Sequence, residues 1–386
     1  MANKEELLGR ARELAPVFAS RALDEEAQRT ISADTVRDLR DAGILKILTP
    51  KAFGGLELGL DAMAEVTQII AAACPSTGWV SAFYMGAPWR TLFYSQEGQR
   101  EVFGDSDHVL MAGTAAPLTD VRRVAGGYVA NGQTAWSSGC VHADWISFTG
   151  LVRGEAGPPE QRTFIVRKHE VEVIDNWYVA GMRGTASNDV KVTEVFIPDH
   201  RSASFSDAVS GQTAGQLLHD NPMYHLPFLP FAMAEVVPVV VGATRGCADA
   251  FLERTRTRQG TLSGVKAAGK QSAHIRLGKS LAATAAAETL LGVMMARMSR
   301  PLEIQKQIGD RIATKLAAAH IVDQCRNAIN DMARGFGADG FRDVSPLQRY
   351  FRDINMLAIH GFMDIDTASE AAGRHALDLP QEDPLI

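Results

Sequence analysis

The stretch Gly126-Gly-Tyr-Val-Ala-Asn-Gly-Gln-Thr-Ala-Trp-Ser-Ser-Gly139 lies where the hydrophobic spacing of the chain changes from a helical period to a strand period. Its Asn131-Gly132 pair is the strongest short signal for a tight hairpin, so we expect a β-hairpin here whose second strand ends at Trp136. Further β-forming runs follow at residues 145–152, 163–166, 171–177 and 190–197, separated by turn residues. The pattern predicts a small, mostly antiparallel β domain.

The segments on either side of this β region have helical spacing. Leu7, Ala11, Leu14 and Phe18 recur at helical intervals, and Ser32 is placed to begin another helix. After a Ser- and Gly-rich loop predicted for residues 203–215, long proline-free stretches at 282–298 and 312–332 favour a four-helix bundle. The predicted fold is therefore α+β, mainly α, with a helical domain (1–110), a central β domain (111–215) and a C-terminal bundle (216–386).

Composition excludes several classes of function. The chain has 386 residues, 46% of them hydrophobic, and a formal net charge of -6 without a block of basic residues, so nucleic acid is not an expected partner. The longest apolar run, 236–243, is interrupted by Pro238, and a membrane span needs about 18 residues. Residues 1–10 are polar, which favours a cytoplasmic protein. The four widely spaced cysteines predict neither a zinc site nor a disulfide framework.

Several motifs together resemble the acyl-CoA dehydrogenase superfamily. They resemble most its monooxygenase branch, which includes the large component of 4-hydroxyphenylacetate hydroxylase. The motifs, which cover nearly the whole chain in order, are Cys74-Pro-Ser-Thr-Gly-Trp79, Gly126 to Gly132, Trp136-Ser-Ser-Gly139 with His142-Ala-Asp-Trp145, Gly181 to Val190, and Arg349-Tyr-Phe-Arg-Asp353 followed by His360. The resemblance implies N-terminal helices, a central β domain, a C-terminal bundle and a flavin cofactor.

The resemblance also implies which residues contact the flavin ring. Trp136 is expected beside the isoalloxazine, and Ser138, with Ser137 next to it, near the N5 and O4 edge. Thr114 is expected near the pyrimidine or the substrate. Ser187 and Asn188 are the expected contacts from the Gly181–Val190 loop. The structural alternative is a core tryptophan with turn serines and a strand-end threonine.

The flavin phosphates require cations or free amides. By resemblance, Arg256 is the favoured phosphate ligand, with Arg254 and Arg258 as alternatives in register. Gly337 belongs to a glycine-rich turn, residues 335–340, that in relatives binds the flavin of a neighbouring subunit. The resemblance therefore implies a homotetramer with shared sites. Arginines on an exposed helix face are the alternative interpretation.

One segment distinguishes two chemistries. Many acyl-CoA dehydrogenases have a Glu-Gly pair where this chain has His360-Gly361, whereas the monooxygenase branch has a histidine there. His360 is thus expected to act as an acid or base beside a flavin that forms a C4a-hydroperoxide with O2. A dehydrogenase that uses Glu235 as its base stays open as an alternative, because Glu235 lies in an apolar setting that would raise its pKa. A non-catalytic flavin-binding scaffold is the third possibility.

The absence of a dinucleotide-binding motif indicates how the flavin is supplied. No Gly-x-Gly-x-x-Gly fingerprint opens a helix after a strand, which agrees with reduced flavin, FADH2 or FMNH2, supplied by a separate NAD(P)H-dependent reductase.

The expected substrate contacts are Phe83, Tyr84, Ala87 and Trp89. By resemblance, Ala87 stands where phenol hydroxylases have a histidine on the substrate hydroxyl. An indole-like ring, which needs no such base, is therefore favoured over a phenol.

Overall fold

The computed structural model describes residues 2–104, 106–153, 158–259, 264 and 266–383, without the side chain of Thr119. The first segment is helical, as predicted, with α1 (Lys4–Gln28), α2 (Ala33–Asp41), α3 (Leu60–Ala73), α4 (Pro75–Thr91) and α5 (Gln96–Phe103). The Ser32 side chain accepts a hydrogen bond from the Thr35 N–H, which confirms the predicted helix start. Helix α4 begins with Pro75, whose missing N–H costs nothing at that position, and almost all of its residues are buried.

The central segment forms one seven-stranded sheet. Its strands are β1 (Met111–Val124), β2 (Gly127–Ser137), β3 (Trp145–Val152), β4 (Glu160–Arg167), β5 (Glu172–Ile174), β6 (Asn188–Pro198) and β7 (Ser202–Ser204), in the order β5-β6-β2-β1-β3-β4-β7. All pairs are antiparallel except β1 with β3. Since β2 is antiparallel to both β1 and β6, the start of β1, the end of β2 and the start of β6 lie at the same end of the sheet.

The hairpin turn lies six residues before the position that the sequence predicts, at 125–126 and not at 131–132. Val124 pairs with Gly127, so the turn between β1 and β2 is Ala125-Gly126, with Gly126 in the left-handed region (φ 76°). The prediction of a turn at Asn131-Gly132 is wrong, because this pair forms an irregularity inside β2 opposite β6. There the Asn131 side chain accepts a hydrogen bond from the Glu194 N–H (2.8 Å), and Glu194 itself has a positive φ of 49°.

The C-terminal segment is a helical bundle. Helices α7 (Phe228–Thr257), α8 (Gln271–Arg297) and α10 (Ile308–Ala333) pack together, and α11 (Pro346–Leu357) and α12 (Ile365–Ala376) pack against α10, with α9 (Leu302–Gln305) as a short connector. The predicted loop at 203–215 also contains the short helix α6 (Phe205–Ser210), capped by the Ser204 side chain. Among the described residues, α7 alone is long and apolar enough to cross a membrane, but 89% of that window is buried, as in the core helix of a globular fold.

The Arg352-Asp353 motif fastens a loop of the β domain to the bundle. Asp353 on α11 accepts a hydrogen bond from the Met182 N–H (2.6 Å), and the Arg352 guanidinium donates to the Ala180 carbonyl (2.5 Å). A Cβ at Gly181 would lie 2.4 Å from the Arg352 carbonyl oxygen, so glycine is required for this approach. The loop between β5 and β6 is thereby held in place from the bundle side.

Candidate active site

A chain of hydrogen bonds connects α4 to the two loops that follow β2 and precede β6. The Trp79 Nε1–H donates to Ser138 Oγ (3.0 Å), Ser138 Oγ lies 2.8 Å from Ser187 Oγ, and Ser187 Oγ lies 2.7 Å from Thr185 Oγ1. All four side chains are at most 8% exposed. We call these residues (Trp79, Ser138, Thr185 and Ser187) the hydroxyl corner. It brings together two residues predicted to contact the flavin, Ser138 and Ser187.

The other residues predicted to contact the flavin ring surround the same end of the sheet. Trp136 has a positive φ of 65° and is 66% exposed, so its indole face is available to a ligand. The Ser137 hydroxyl is buried and has no hydrogen-bond partner among the described residues. Thr114, on the neighbouring strand β1, is partly buried and accepts a hydrogen bond from the Ala116 N–H (3.2 Å). Asn188 has a structural role, because its side-chain oxygen accepts from the N–H groups of residues 176 and 177.

His360 also packs against Trp79. The two ring centroids are 5.5 Å apart in an edge-on arrangement. Burial lowers the pKa of His360 to about 4, so the imidazole is neutral near pH 7. Its Nδ1 accepts the Phe362 N–H (3.3 Å), which places the ring proton on Nε2. His360 is therefore a hydrogen-bond donor at neutral pH, whereas the sequence suggested an acid or base.

A continuous row of aromatic rings extends from the hydroxyl corner. Successive centroids from Phe83 through Trp79, His360, Phe362 and Phe228 to Phe205 are 5.1, 5.5, 5.2, 6.0 and 6.2 Å apart. We call these six residues the aromatic wall. All except Trp79 retain partial exposure. A wall of this kind suits a flat aromatic ligand, which gains from edge-on and offset stacking contacts.

Three of the predicted substrate contacts lie in the core. Tyr84, Ala87 and Trp89 have no exposed surface. The Tyr84 hydroxyl donates to the Gly139 carbonyl (2.6 Å), and Trp89 stacks on Phe231 at 3.8 Å. The geometry therefore gives these residues packing roles, and of the four predicted contacts it keeps only Phe83 at the site.

Glu235 is the group that the dehydrogenase alternative would use as a base. Its carboxylate is 3% exposed and accepts a hydrogen bond from Arg90 Nη1 (2.6 Å), while Arg90 Nη2 donates to the Phe83 carbonyl (2.6 Å). Burial raises the pKa of Glu235 to about 7 against the opposing effect of Arg90. A Cβ at Gly86 would overlap this carboxylate. The carboxylate is thus held in an ion pair, which does not favour proton abstraction from a substrate.

A second feature, in the bundle, is a cavity of about 220 Å³ lined by cations. We call it the basic cavity, and its cationic residues are Arg254, Arg258, Lys270, Arg276 and Arg334. Arg254 Nε donates to the Phe336 carbonyl (2.8 Å), and Arg258 Nη1 donates to the Gly335 carbonyl (3.2 Å). The pKa of Arg254 is lowered by burial and by the charge of Arg258. An anion in the cavity would relieve this repulsion.

The basic cavity is lined by the two alternatives in register and not by the favoured Arg256. Arg254, in the last turn of α7, and Arg258, which follows the helix, both line it, whereas Arg256 is exposed and paired at 3.9 Å with Glu253. Gly337, in the predicted glycine-rich turn, has a positive φ of 63°, and a Cβ there would lie 2.3 Å from the Arg258 guanidinium. Lys270, Arg276 and Arg334 were missed, because no spacing in the sequence connects three separate segments.

These features fit a flavin. The basic cavity offers a buried Arg254 Nη2 without a hydrogen-bond partner among the described residues, as a phosphate site would. The exposed face of Trp136 and the unpartnered Ser137 hydroxyl suit the polar edge and face of an isoalloxazine ring. The structure adds Trp79 and Thr185 to the residues that the sequence predicts at the flavin site. Trp79 was visible in the Cys74–Trp79 motif, whereas nothing in the sequence distinguishes Thr185.

Fold and site together define a flavoprotein of acyl-CoA dehydrogenase architecture. Residues 4–103 match the family model described as "Acyl-CoA dehydrogenase, N-terminal domain", and residues 235–365 match "Acyl-CoA dehydrogenase, C-terminal domain". The chain belongs to this family, in the branch of flavin-dependent monooxygenase oxygenase components.

Similar proteins match along nearly their whole length. The chain is 54% identical over 383 residues to a pigment production hydroxylase of Rhodococcus sp. (strain ATCC 21145), covering 99% of both chains. It is 31% identical to the oxygenase subunit HsaA of a flavin-dependent monooxygenase of Mycobacterium tuberculosis (97% of this chain, 95% of the relative). It is 28% identical to the oxygenase component of an FADH(2)-dependent resorcinol hydroxylase of Rhizobium sp. (strain MTP-10005), covering 97% and 94%.

Solved structures agree with this assignment. The 3-HSA hydroxylase of Rhodococcus sp. RHA1 superposes with a TM-score of 0.92 at 28% identity, covering 99% of both chains. XiaF of Streptomyces sp., solved in complex with FADH2 and glycerol, superposes with a TM-score of 0.89 at 25% identity, covering 99% of this chain and 97% of XiaF. The predicted fold is confirmed, and relatives of this chain are oxygenase components that hydroxylate aromatic compounds.

Proposed function

We propose that this chain is the oxygenase component of a two-component monooxygenase that uses reduced flavin and O2 to hydroxylate an aromatic substrate. The observation that carries the proposal is that Ser138 and His360 both contact Trp79, the residue that belongs to the hydroxyl corner and to the aromatic wall. A neutral hydrogen-bonding pair beside a surface for flat rings suits oxygen transfer to an aromatic ring.

A bound reduced flavin would supply the chemistry that activates O2 for transfer of one oxygen atom to the substrate. Ser138 would hold a hydrogen bond at the N5 edge of the ring, and Nε2 of His360 would donate to an oxygen near it. Trp136 would cover one face of the ring. The aromatic wall would hold the substrate and exclude water, because water promotes loss of the oxygen as peroxide.

An indole-like ring is the proposed substrate ahead of a phenol. A phenol reacts best as a phenolate, which requires a base. Two titratable side chains close to the aromatic wall are already engaged: Nδ1 of His360 accepts the Phe362 N–H, and Glu235 is paired with Arg90, which also donates to the Phe83 carbonyl. Their engagement supports a ring that is nucleophilic without losing a proton, as indole is at C3.

The proposed cofactor is FADH2, with FMNH2 as the alternative, and a separate NAD(P)H-dependent reductase would supply it. Five cationic side chains in the basic cavity suit the diphosphate of FAD better than a single phosphate. Cytoplasmic localisation remains a proposal that accords with reduction of the flavin by NAD(P)H.

We further propose a homotetramer in which the basic cavity of one chain holds the phosphates of a flavin whose ring lies in the hydroxyl corner of the next. Apolar side chains exposed along α8, such as Ile275 (52%) and Val293 (59%), would be covered by another copy. The test is complementation. Co-assembly of Ser138→Ala chains with Arg258→Ala chains should raise hydroxylation above the level of either variant alone, and no gain in the mixed assembly would contradict shared sites.

The test of the function uses purified chain, a flavin reductase, NADH and ¹⁸O2. We expect one ¹⁸O atom in the hydroxylated product of indole, and slower turnover of phenol and resorcinol. Product formation should be lost when the reductase is omitted and restored by chemically reduced FAD. Consumption of O2 to hydrogen peroxide alone, with indole and every phenol tested, would contradict the proposal.

A further inference from the structure

The hydrogen bonds of the hydroxyl corner have a fixed direction, because the group at one end can only donate and the group at the other end can only accept. At one end, the Trp79 Nε1–H is a donor only. At the other end, Thr185 Oγ1 lies 2.9 Å from the Met182 carbonyl, which is an acceptor only. Each hydroxyl between them has a single hydrogen to give.

The direction follows step by step from the carbonyl end. Thr185 gives its hydrogen to the Met182 carbonyl, so at 2.7 Å it must accept the hydrogen of Ser187. Ser187 therefore accepts the hydrogen of Ser138 at 2.8 Å. The Ser138 oxygen also accepts the Trp79 N–H, so its hydrogen is committed and one lone pair remains.

This remaining lone pair decides which ligand Ser138 can bind. Ser138 is 8% exposed, whereas Ser187 and Thr185 are 4% and 1% exposed, so it is the member of the chain most accessible to a ligand. The N5 atom of reduced flavin carries a hydrogen, whereas the N5 atom of oxidised flavin is an acceptor. A Ser138 oxygen that can only accept forms a hydrogen bond with the N5–H of the reduced form. Toward the oxidised form it would place a lone pair against the lone pair of N5, which is unfavourable.

We infer that Thr185 is a positioning residue that selects the reduced flavin, by fixing the direction of the hydroxyl chain so that Ser138 presents a lone pair to N5. The inference rests on the proposed function in placing the flavin N5 at Ser138. It explains how a buried threonine that does not itself contact the ring would set the redox preference of the site. Neither family membership nor the motif pattern assigns Thr185 this role.

The test is Thr185→Val, which removes the hydroxyl while nearly preserving shape. Without Thr185 as an acceptor, the Ser187 hydrogen can turn toward Ser138, and the Ser138 hydrogen can then turn toward the ligand. The measured quantity is the ratio of the Kd for oxidised flavin to the Kd for reduced flavin, from aerobic and anaerobic titrations. We expect this ratio to fall about tenfold in the variant, as for one gained and one lost hydrogen bond.

Three further variants make the result specific. Thr185→Ser keeps the hydroxyl and should restore the wild-type ratio. Ser187→Ala interrupts the same chain and should lower the ratio as Thr185→Val does, which decides the question if the valine variant does not fold. Thr163→Val removes another buried hydroxyl, bonded to Tyr94 (3.2 Å) outside the corner, and should leave the ratio unchanged.

Each outcome separates the inference from the proposed function. If the wild-type chain binds reduced flavin more tightly and Thr185→Val keeps the full ratio, the inference is wrong while the proposed function stands. If the wild-type chain binds neither form of flavin, the proposed function itself fails. A ratio that falls in Thr185→Val and in Thr163→Val alike would assign the effect to general loosening of the fold and overturn the inference.

Discussion

The hydroxyl corner and the basic cavity differ in the kind of interaction they offer a ligand. The corner contains no charged side chain, and its hydrogen bonds are short, buried and directional. The cavity collects five cations around about 220 Å³, and two of its arginines, Arg254 and Arg258, are anchored through backbone carbonyls. Charge gives binding strength with little directional demand, whereas a neutral directional network discriminates between states that differ by one hydrogen.

This difference indicates a division of labour. Affinity for the flavin should come from the basic cavity and decrease with salt, because phosphate contacts at a partly open site are screened. Choice of redox state and control of the bound oxygen should come from the corner and depend little on salt. Substitutions in the two regions should therefore change different measurements.

The largest expected effect is in the basic cavity. The double substitution Arg254→Ala with Arg258→Ala should weaken binding of reduced FAD at least about a hundredfold, since each charge-assisted hydrogen bond contributes about 1.5–3 kcal/mol. Anaerobic titration at two salt concentrations measures this, and the salt dependence should flatten in the variant. Arg256→Ala is the matched control and should bind normally. Equal losses in the control would contradict the assignment of the cavity.

Next in size is Ser138→Ala in the corner. Loss of a hydrogen bond to a buried partner costs about 1–3 kcal/mol, so the flavin–oxygen adduct should decay roughly ten- to a hundredfold faster and release more hydrogen peroxide. The readout is the ratio of hydroxylated product to O2 consumed. Unchanged coupling in the variant would show that Ser138 does not hold the oxygenated flavin.

His360→Ala should slow turnover less than the loss of a proton-transferring histidine would. Because the pKa of His360 is lowered to about 4, the ring is neutral throughout the usual assay range and contributes a single hydrogen bond, worth about 0.5–1.5 kcal/mol or up to about tenfold in rate. The wild-type and variant pH–rate profiles should be parallel between pH 5.5 and 8. A limb near pH 6.5 that the variant lacks would show that His360 titrates during turnover.

The order of segments follows from the sequence, and its family resemblance places Ser138 and His360 at one site, but the direction of side chains does not follow from either. Residues 254 and 256 lie on α7 and Arg258 follows its last residue, so helical spacing alone predicts only that 254 and 258 face together. Which face meets the glycine-rich turn depends on packing of α7 against the segment around Gly335. Likewise, α4 is buried on nearly all sides, so no periodicity separates Phe83 at the wall from Tyr84, Ala87 and Trp89 in the core.

The hairpin also shows that local sequence does not reveal contacts between distant segments. Asn131-Gly132 has the composition of a turn, yet β2 continues through it because β6 supplies the Glu194 N–H to the Asn131 side chain. A contact between residues 63 positions apart overrides the local signal. Thr185 is invisible for a similar reason, since its role depends on partners that only the folded loop brings together.

The smallest expected effect on catalysis is at the Arg90–Glu235 pair, which lies outside both regions. Glu235→Gln keeps an oxygen that accepts from Arg90 and should leave hydroxylation within about threefold of wild type, because the altered hydrogen bond lies outside the hydroxyl corner and the basic cavity. A loss of several orders of magnitude, with α,β-desaturation of an acyl-CoA by the wild type, would support the dehydrogenase alternative.

The same substitution should change how stability depends on pH. The folded-state pKa of Glu235 is raised by burial to about 7 from 4.5, so between these pH values the folded state binds more protons than the unfolded state. This group therefore lowers the free energy of unfolding as pH rises from 4.5 to 7. Denaturant titrations across that window should show this fall in the wild type and less of it in Glu235→Gln.

The central claim is that the chain stabilises an oxygenated reduced flavin for transfer to an aromatic ring. The direct measurement is stopped-flow mixing of the anaerobic complex of the chain and reduced FAD with oxygenated buffer, with and without indole. The account predicts a near-ultraviolet adduct that accumulates before oxidised flavin appears and disappears faster when indole is present, with formation of hydroxyindole. Direct oxidation of the flavin in one phase, with one hydrogen peroxide released for each flavin and no effect of any aromatic compound, would contradict it.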